Sequence, residues 1–221
     1  MDKKNCVIFD MDGVIFDSER ACLDTWTEAA NACGMKNIRE VFYKCIGTNY
    51  AQTRGIVEEA YAKEYGAGIA DKILSESSRL FHRKYDGGRL PLKAGVKDIL
   101  DYLKNKNIRC AVASSTREAA VRRELSDAGL ADYFEEIVGG DAVKISKPNP
   151  EIYLLACSRM QVEPESAFAI EDSYNGIRSA HAAGMRPIMV PDMIPADEEM
   201  KDISEVICDD LIEVIEYFER V

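Results

Sequence analysis

From Gly95 onward, short apolar runs alternate with segments of helical period, and no other feature constrains the fold as strongly. The spacing predicts a helix over Val96–Lys104 before a strand Cys110–Ala113, and a helix over Arg117–Ala128 before a strand Glu136–Val138. A helix over Pro150–Met160 precedes the strand Ala167–Ile170. A helix over Gly176–Ala183 leads to the strand Pro187–Val190, and a last strand, Val206–Ile207, precedes a helix over Leu211–Arg220. Strands separated by helical crossovers imply a parallel sheet covered on both faces. A further apolar run, Cys6-Val7-Ile8-Phe9, supplies the first strand, residues 5–9.

The stretch between is different. Ala21–Cys33, Ile38–Cys45, Tyr50–Tyr65 and Ile69–Tyr85 carry apolar residues three and four apart, with glycine at the breaks, and nothing from 19 to 86 has strand character. Gly87-Gly88 and Pro91 then punctuate the chain. The expected organisation is an α/β core of residues 1–18 and 87–221, a Rossmann-like parallel sheet, with an inserted all-helical domain over 19–86.

Composition narrows the function. A formal net charge of −11 disfavours nucleic acid or an anionic membrane as a bulk partner, since both demand basic patches. A small anionic substrate stays open, because a metal and one or two cations can make a pocket locally positive. Seven scattered cysteines with no CxxC, and only His82 and His181 as imidazoles, give neither a disulfide framework nor a zinc site. Met1-Asp2-Lys3-Lys4 runs straight into a strand too short for a signal sequence, and no apolar stretch nears the roughly 20 residues of a membrane span. A reduced, soluble, cytoplasmic protein is expected.

Four polar segments follow or adjoin the predicted strands. Asp10-Met11-Asp12-Gly13 leaves the first; two carboxylates there suit a hard cation, or one a nucleophile and the other a proton carrier, while the plain alternative is a helix-capping turn. Ser114-Ser115-Thr116 follows the strand 110–113 and suits a phosphate at a helix start, or simply an N-cap. Pro148 and Pro150 stiffen the backbone around Lys147, which could neutralise a carboxylate and a phosphoryl oxygen together; its alternative is a solvated surface lysine. Glu171-Asp172 ends the strand 167–170, as magnesium ligands or as a solvated turn.

Taken together, the acidic pair, hydroxyl, lysine and second acidic pair occur in the order shown by the haloacid dehalogenase-like superfamily, which the chain resembles over nearly its whole length. The helical insert after the first motif is similar to the cap of the branch containing β-phosphoglucomutase and phosphoglycolate phosphatase. The resemblance implies Asp10 as nucleophile, Asp12 as general acid and base, Ser114, Ser115 and Lys147 as phosphoryl ligands, and Mg2+ held by Asp10, the Asp12 carbonyl and Asp172, with Glu171 either a direct ligand or acting through water. It implies a cap that closes over the core, hinged near Phe16–Ser18 and Gly87–Pro91, with Trp26, Thr48 and Asn49 as substrate contacts and a monomer sufficing for catalysis. Trp26 also fits as a core aromatic.

The mutase of that branch uses a cap histidine and arginine. Their positions are Cys22 and, near Gly47, Tyr50 here, with Arg54 one helical turn away. Their loss favours a phosphatase for a small phosphorylated metabolite, with the mutase as alternative and a non-catalytic binding protein more remote. The acid at position 12 sets carbon–halogen hydrolysis aside.

Overall fold

Six parallel strands form one sheet: β1 (Cys6–Phe9), β2 (Arg109–Ala113), β3 (Glu136–Val138), β4 (Ala167–Glu171), β5 (Arg186–Met189) and β6 (Val206–Ile207), in the order β3-β2-β1-β4-β5-β6. The computed structural model describes residues 6–46, 48 and 50–221. This order reverses between β1 and β4, the point where open α/β sheets place their ligands. Phe9 pairs with Val112 on one side and Ile170 on the other, so Asp10, Ala113 and Glu171 come level at the sheet's carboxyl edge.

Alternation along the strands divides the core into two faces. Cys6, Ile8, Ala111, Ala113, Ala167 and Ala169 share one face. Small alanines there leave room for Ile152, Tyr153, Ala156 and Met160 of helix α7 (Glu151–Met160) and for Ala180 of α8 (Tyr174–Ala182). On the other face Phe9 meets Phe134 edge to face at 5.9 Å, and Phe168 meets Phe218 of α10 (Leu211–Arg220) at 5.1 Å. Helix α5 (Val96–Asn105) buries Val96, Ile99, Leu100 and Leu103. Each large apolar side chain so enclosed contributes about 1.5–3 kcal/mol. Two further helices complete the unit, α6 (Glu118–Asp127) and α9 (Glu198–Ile203).

The chain divides into two compact units, one running to Asp17 and resuming with Pro91–Val221, the other Ser18–Leu90. The second is helical: α1 (Ser18–Ala32), α2 (Ile38–Cys45), α3 (Tyr50–Tyr65) and α4 (Ile69–Tyr85). Its interior holds Trp26 edge to face against Phe42 at 5.1 Å, with Val57, Ile73 and Leu80 buried. Glu58 satisfies the start of α4, accepting from Gly68 N and Ala70 N at 2.7 and 3.0 Å. The Arg89 guanidinium donates to the Asp86 and Arg83 carbonyls, which ties the turn after α4 to the helix end.

Helix α9 has no counterpart in the sequence reading, because it is six residues long and only Met200 is buried. The helix predicted from Arg117 begins at Glu118, and its cap is not a neighbouring serine or threonine. Asp141, on the loop after β3, accepts from Glu118 N at 2.8 Å. All seven cysteines are free. No helix among the described residues is long and apolar enough to cross a membrane.

Candidate active site

The chain leaves β1 through a closed turn. Asp10 N donates to the Ile170 carbonyl, which carries the sheet one residue past Phe9. Gly13 N then donates to Phe16 O, and both Ile15 N and Phe16 N donate to Met11 O. Met11, Val14, Ile15 and Phe16 are buried, while Lys93 N to Ile15 O and Asp17 N to Pro91 O tie the turn to the following segment. Gly13 sits at φ +78°, and a Cβ there would overlap the Asp172 carboxylate. That close approach, as well as the left-handed conformation, requires glycine.

Lys147 is the centre of the site. Its ammonium lies 2.6 Å from Asp10 Oδ1, 2.6 Å from Glu171 Oε1 and 2.9 Å from the Ala113 carbonyl, with its side chain 6% exposed. It also stands 5.0 Å from the centre of the Tyr153 ring. The Tyr153 hydroxyl donates to Glu171 Oε1 at 2.7 Å. Ser173 N and Oγ donate to Glu171 Oε2. Glu171 is thus fully buried with both oxygens engaged. A Cβ on Gly176 would overlap that carboxylate, so α8 approaches Glu171 only because position 176 is glycine.

Electrostatics follow from burial and crowding. Burial raises the Asp10 carboxyl, Lys147 pulls it back, and Glu171 and Asp12 raise it again, leaving it near 8. Burial lowers the Lys147 ammonium, but Asp10 and Glu171 more than reverse this, so it stays charged. Burial and Glu171 push the Tyr153 hydroxyl well up, which keeps it a donor.

Oxygens of Asp10, Glu171 and Asp172 can lie within 4.8 Å of one another. An all-oxygen group of this kind suits a hard divalent cation. Four carboxylates against one ammonium also leave the site short of positive charge, so the residues present fit such an ion.

The hydroxyl segment lies beside them. Ser114 is buried at the end of β2; its N donates to the Val138 carbonyl and its Oγ accepts from Thr116 N at 3.0 Å. The Ser114 hydroxyl keeps its own proton to donate. Ser115 is exposed, and its carbonyl would clash with a Cβ on Gly140. Thr116 Oγ1 donates to Asp12 Oδ2 at 2.9 Å. The fold therefore gathers Asp10, Asp12, Ser114, Lys147, Glu171 and Asp172 at one sheet edge, and adds Tyr153 and Thr116, which sequence reasoning did not single out.

The candidate substrate contacts belong to the helical unit. Trp26 is buried against Phe42. Thr48 Oγ1 donates to the Cys45 carbonyl at 2.7 Å and lies 2.8 Å from Thr53 Oγ1. Asn49 lies outside the described residues. Arg54 grips Asp71 with two donors, Nε at 2.6 Å and Nη2 at 2.8 Å.

Residues 7–190 match the family model for haloacid dehalogenase-like hydrolases, and the chain belongs to that family. Among curated relatives, a phosphorylated carbohydrates phosphatase of Thermotoga maritima is 33% identical over 183 residues, covering 82% of each chain. Hexitol phosphatase B of Escherichia coli is 26% identical, covering 93% of this chain and 95% of its own. Among solved structures, a CbbY mutant from Rhodobacter sphaeroides in complex with xylulose-(1,5)bisphosphate aligns with a TM-score of 0.75, at 28% identity and 95% coverage of both chains.

Proposed function

We propose that this hydrolase, a phosphoric monoester hydrolase, removes phosphate from a small phosphorylated metabolite, a sugar phosphate or similar monoester, in a Mg2+-dependent reaction through a phosphoryl group carried on Asp10. The observation that carries the reading is the buried Lys147 ammonium 2.6 Å from Asp10 Oδ1, at a strand end shared with Ser114 and two further acids. The names of the relatives, phosphatases of carbohydrate and hexitol phosphates, support the substrate class.

Asp10 attacks phosphorus as the bond to the leaving oxygen breaks, and Asp12 delivers a proton to that oxygen. Asp12 then takes a proton from the water that attacks phosphorus and frees Asp10. Lys147 and the Ser114 hydroxyl hold the phosphoryl oxygens and offset their charge. Asp10, Asp172 and the Asp12 carbonyl would hold Mg2+, which when bound would offset the charge of the phosphoryl oxygens that a carboxylate must approach. Glu171 fixes Lys147 and adds its charge to the acidic group around the ion, directly or through water. In the helical unit Thr48 and Asn49 are the proposed substrate contacts, while Trp26, buried against Phe42, serves the interior of that unit.

Phosphatase is favoured over mutase because Cys22 stands where the mutase has its cap histidine, and a thiol supplies neither the imidazole hydrogen bond nor its charge. The test supplies β-glucose 1-phosphate with a bisphosphate activator, alongside a panel of sugar and polyol phosphates. Inorganic phosphate released faster than glucose 6-phosphate appears supports the phosphatase; the reverse order overturns it.

A further inference from the structure

The hydrogen bond between Thr116 and Asp12 joins residues 104 positions apart, and its Thr116 end is anchored independently of Asp12. Thr116 is held at each of its polar atoms. Its N–H donates to Ser114 Oγ at 3.0 Å, and its carbonyl accepts from Gly140 N at 2.9 Å. Gly139 and Gly140 allow this closeness, since a Cβ on either would overlap backbone atoms of Glu118 or Ser115. The Thr116 hydroxyl therefore reaches Asp12 from a segment locked to both β2 and β3. Nothing of comparable rigidity would hold a solvated carboxylate in one rotamer.

The direction of the bond matters as much as its length. With the Thr116 hydroxyl donating, Asp12 Oδ2 is engaged as an acceptor, which leaves Oδ1 to carry the proton. We infer that Thr116 is a positioning residue for proton transfer: it fixes which oxygen of Asp12 serves the leaving group and holds that oxygen in place before substrate arrives. In the step concerned, the Asp10–phosphorus bond forms, the bond from phosphorus to the leaving oxygen breaks, and the proton on Asp12 Oδ1 moves to that oxygen. This inference rests on the role of Asp12 as general acid.

A positioning role separates from a structural one through the leaving group. p-Nitrophenolate departs without a proton, whereas phenolate and p-methylphenolate gain much more from one. The experiment measures kcat/KM, which reports formation of the phosphorylated enzyme, for p-nitrophenyl, phenyl and p-methylphenyl phosphate with Mg2+. The proteins compared are the native chain, Thr116→Val, Thr116→Ala, Thr116→Ser and Asp12→Ala.

Thr116→Val is expected to hold p-nitrophenyl phosphate within about twofold while losing about tenfold on phenyl phosphate, a fraction of the total worth of a general acid. Thr116→Ala should follow it and serves if the valine chain folds poorly. Thr116→Ser, which keeps the hydroxyl, should restore the native dependence on leaving group. Equal losses on all three esters in the valine and alanine variants would overturn the proposal, as would a serine variant indistinguishable from valine. If Asp12→Ala steepens the dependence and Thr116→Val does not, the positioning role alone fails. If Asp12→Ala leaves it unchanged, the assignment of Asp12 as acid fails with it.

Discussion

Lys147 in the α/β unit lies 2.6 Å from Asp10, and Arg54 in the helical unit lies 2.6 Å from Asp71. By distance the two pairs are alike. Their surroundings are not: the side chains are 6% and 10% exposed in the first pair, 47% and 51% in the second. Removing one member of a buried pair strands the other in a low dielectric, while water re-solvates an exposed one. The same geometry is thus a fixed electrostatic site in one unit and an exchangeable surface contact in the other. The α/β unit buries a charge cluster that packing alone would never favour, and this cluster is where the proposed chemistry is placed.

Removing the buried cation should give the largest effect on stability. Lys147→Ala leaves Asp10 and Glu171 without their shared ammonium and should lower unfolding stability by about 3–5 kcal/mol in urea titration. A loss no greater than that of a surface alanine would erase the contrast between the two units.

The raised Asp10 pKa gives a second effect, with a definite sign. Its folded value, near 8, lies above the ordinary aspartate value of 3.8, so between these pH values the folded state binds more protons than the unfolded one. Its contribution therefore falls as pH rises from about 4 to about 8. Chelator-treated protein should lose stability across that window, and saturating Mg2+ should flatten the slope, because the ion binds the ionised carboxylate. Denaturation curves at a series of pH values, with and without Mg2+, measure this; identical slopes would contradict it.

A smaller loss is expected from Tyr153→Phe. It removes the buried donor to Glu171 and should lower stability by about 1–3 kcal/mol in the same titration. The smallest effect belongs to the exposed pair. Arg54→Ala should leave the melting temperature unchanged within error and leave p-nitrophenyl phosphate hydrolysis intact. A large loss of sugar-phosphate turnover in that variant would instead bring Arg54 into substrate recognition.

The strands of the sheet were legible because each is a short apolar run bounded by polar or turn residues, and burial on both faces demands such runs. Asp10, Lys147 and Asp172 each have an ordinary structural reading alone, and they stood out only because acidic pair, hydroxyl, lysine and acidic pair occur in that order beside strand ends. What stayed hidden depends on distant pairing. Tyr153 reads as one more apolar position in a helix, since nothing local shows that its hydroxyl meets Glu171. Asp141 caps a helix that begins 23 residues earlier, and Thr116 meets a carboxylate 104 residues away. Sequence left open whether Glu171 meets a metal directly, because nothing local shows that the last residue of β4 points its carboxylate to Lys147 and Tyr153 in the interior.

The most direct measurement is the rate of p-nitrophenyl phosphate hydrolysis at saturating Mg2+ in the native chain and in Asp10→Asn. The substitution keeps the size of the side chain and removes the nucleophilic charge. A fall of at least about 10⁴-fold is expected, in line with removal of a catalytic nucleophile. Equal rates in the two proteins would contradict the assignment of Asp10 as the group that carries the phosphoryl.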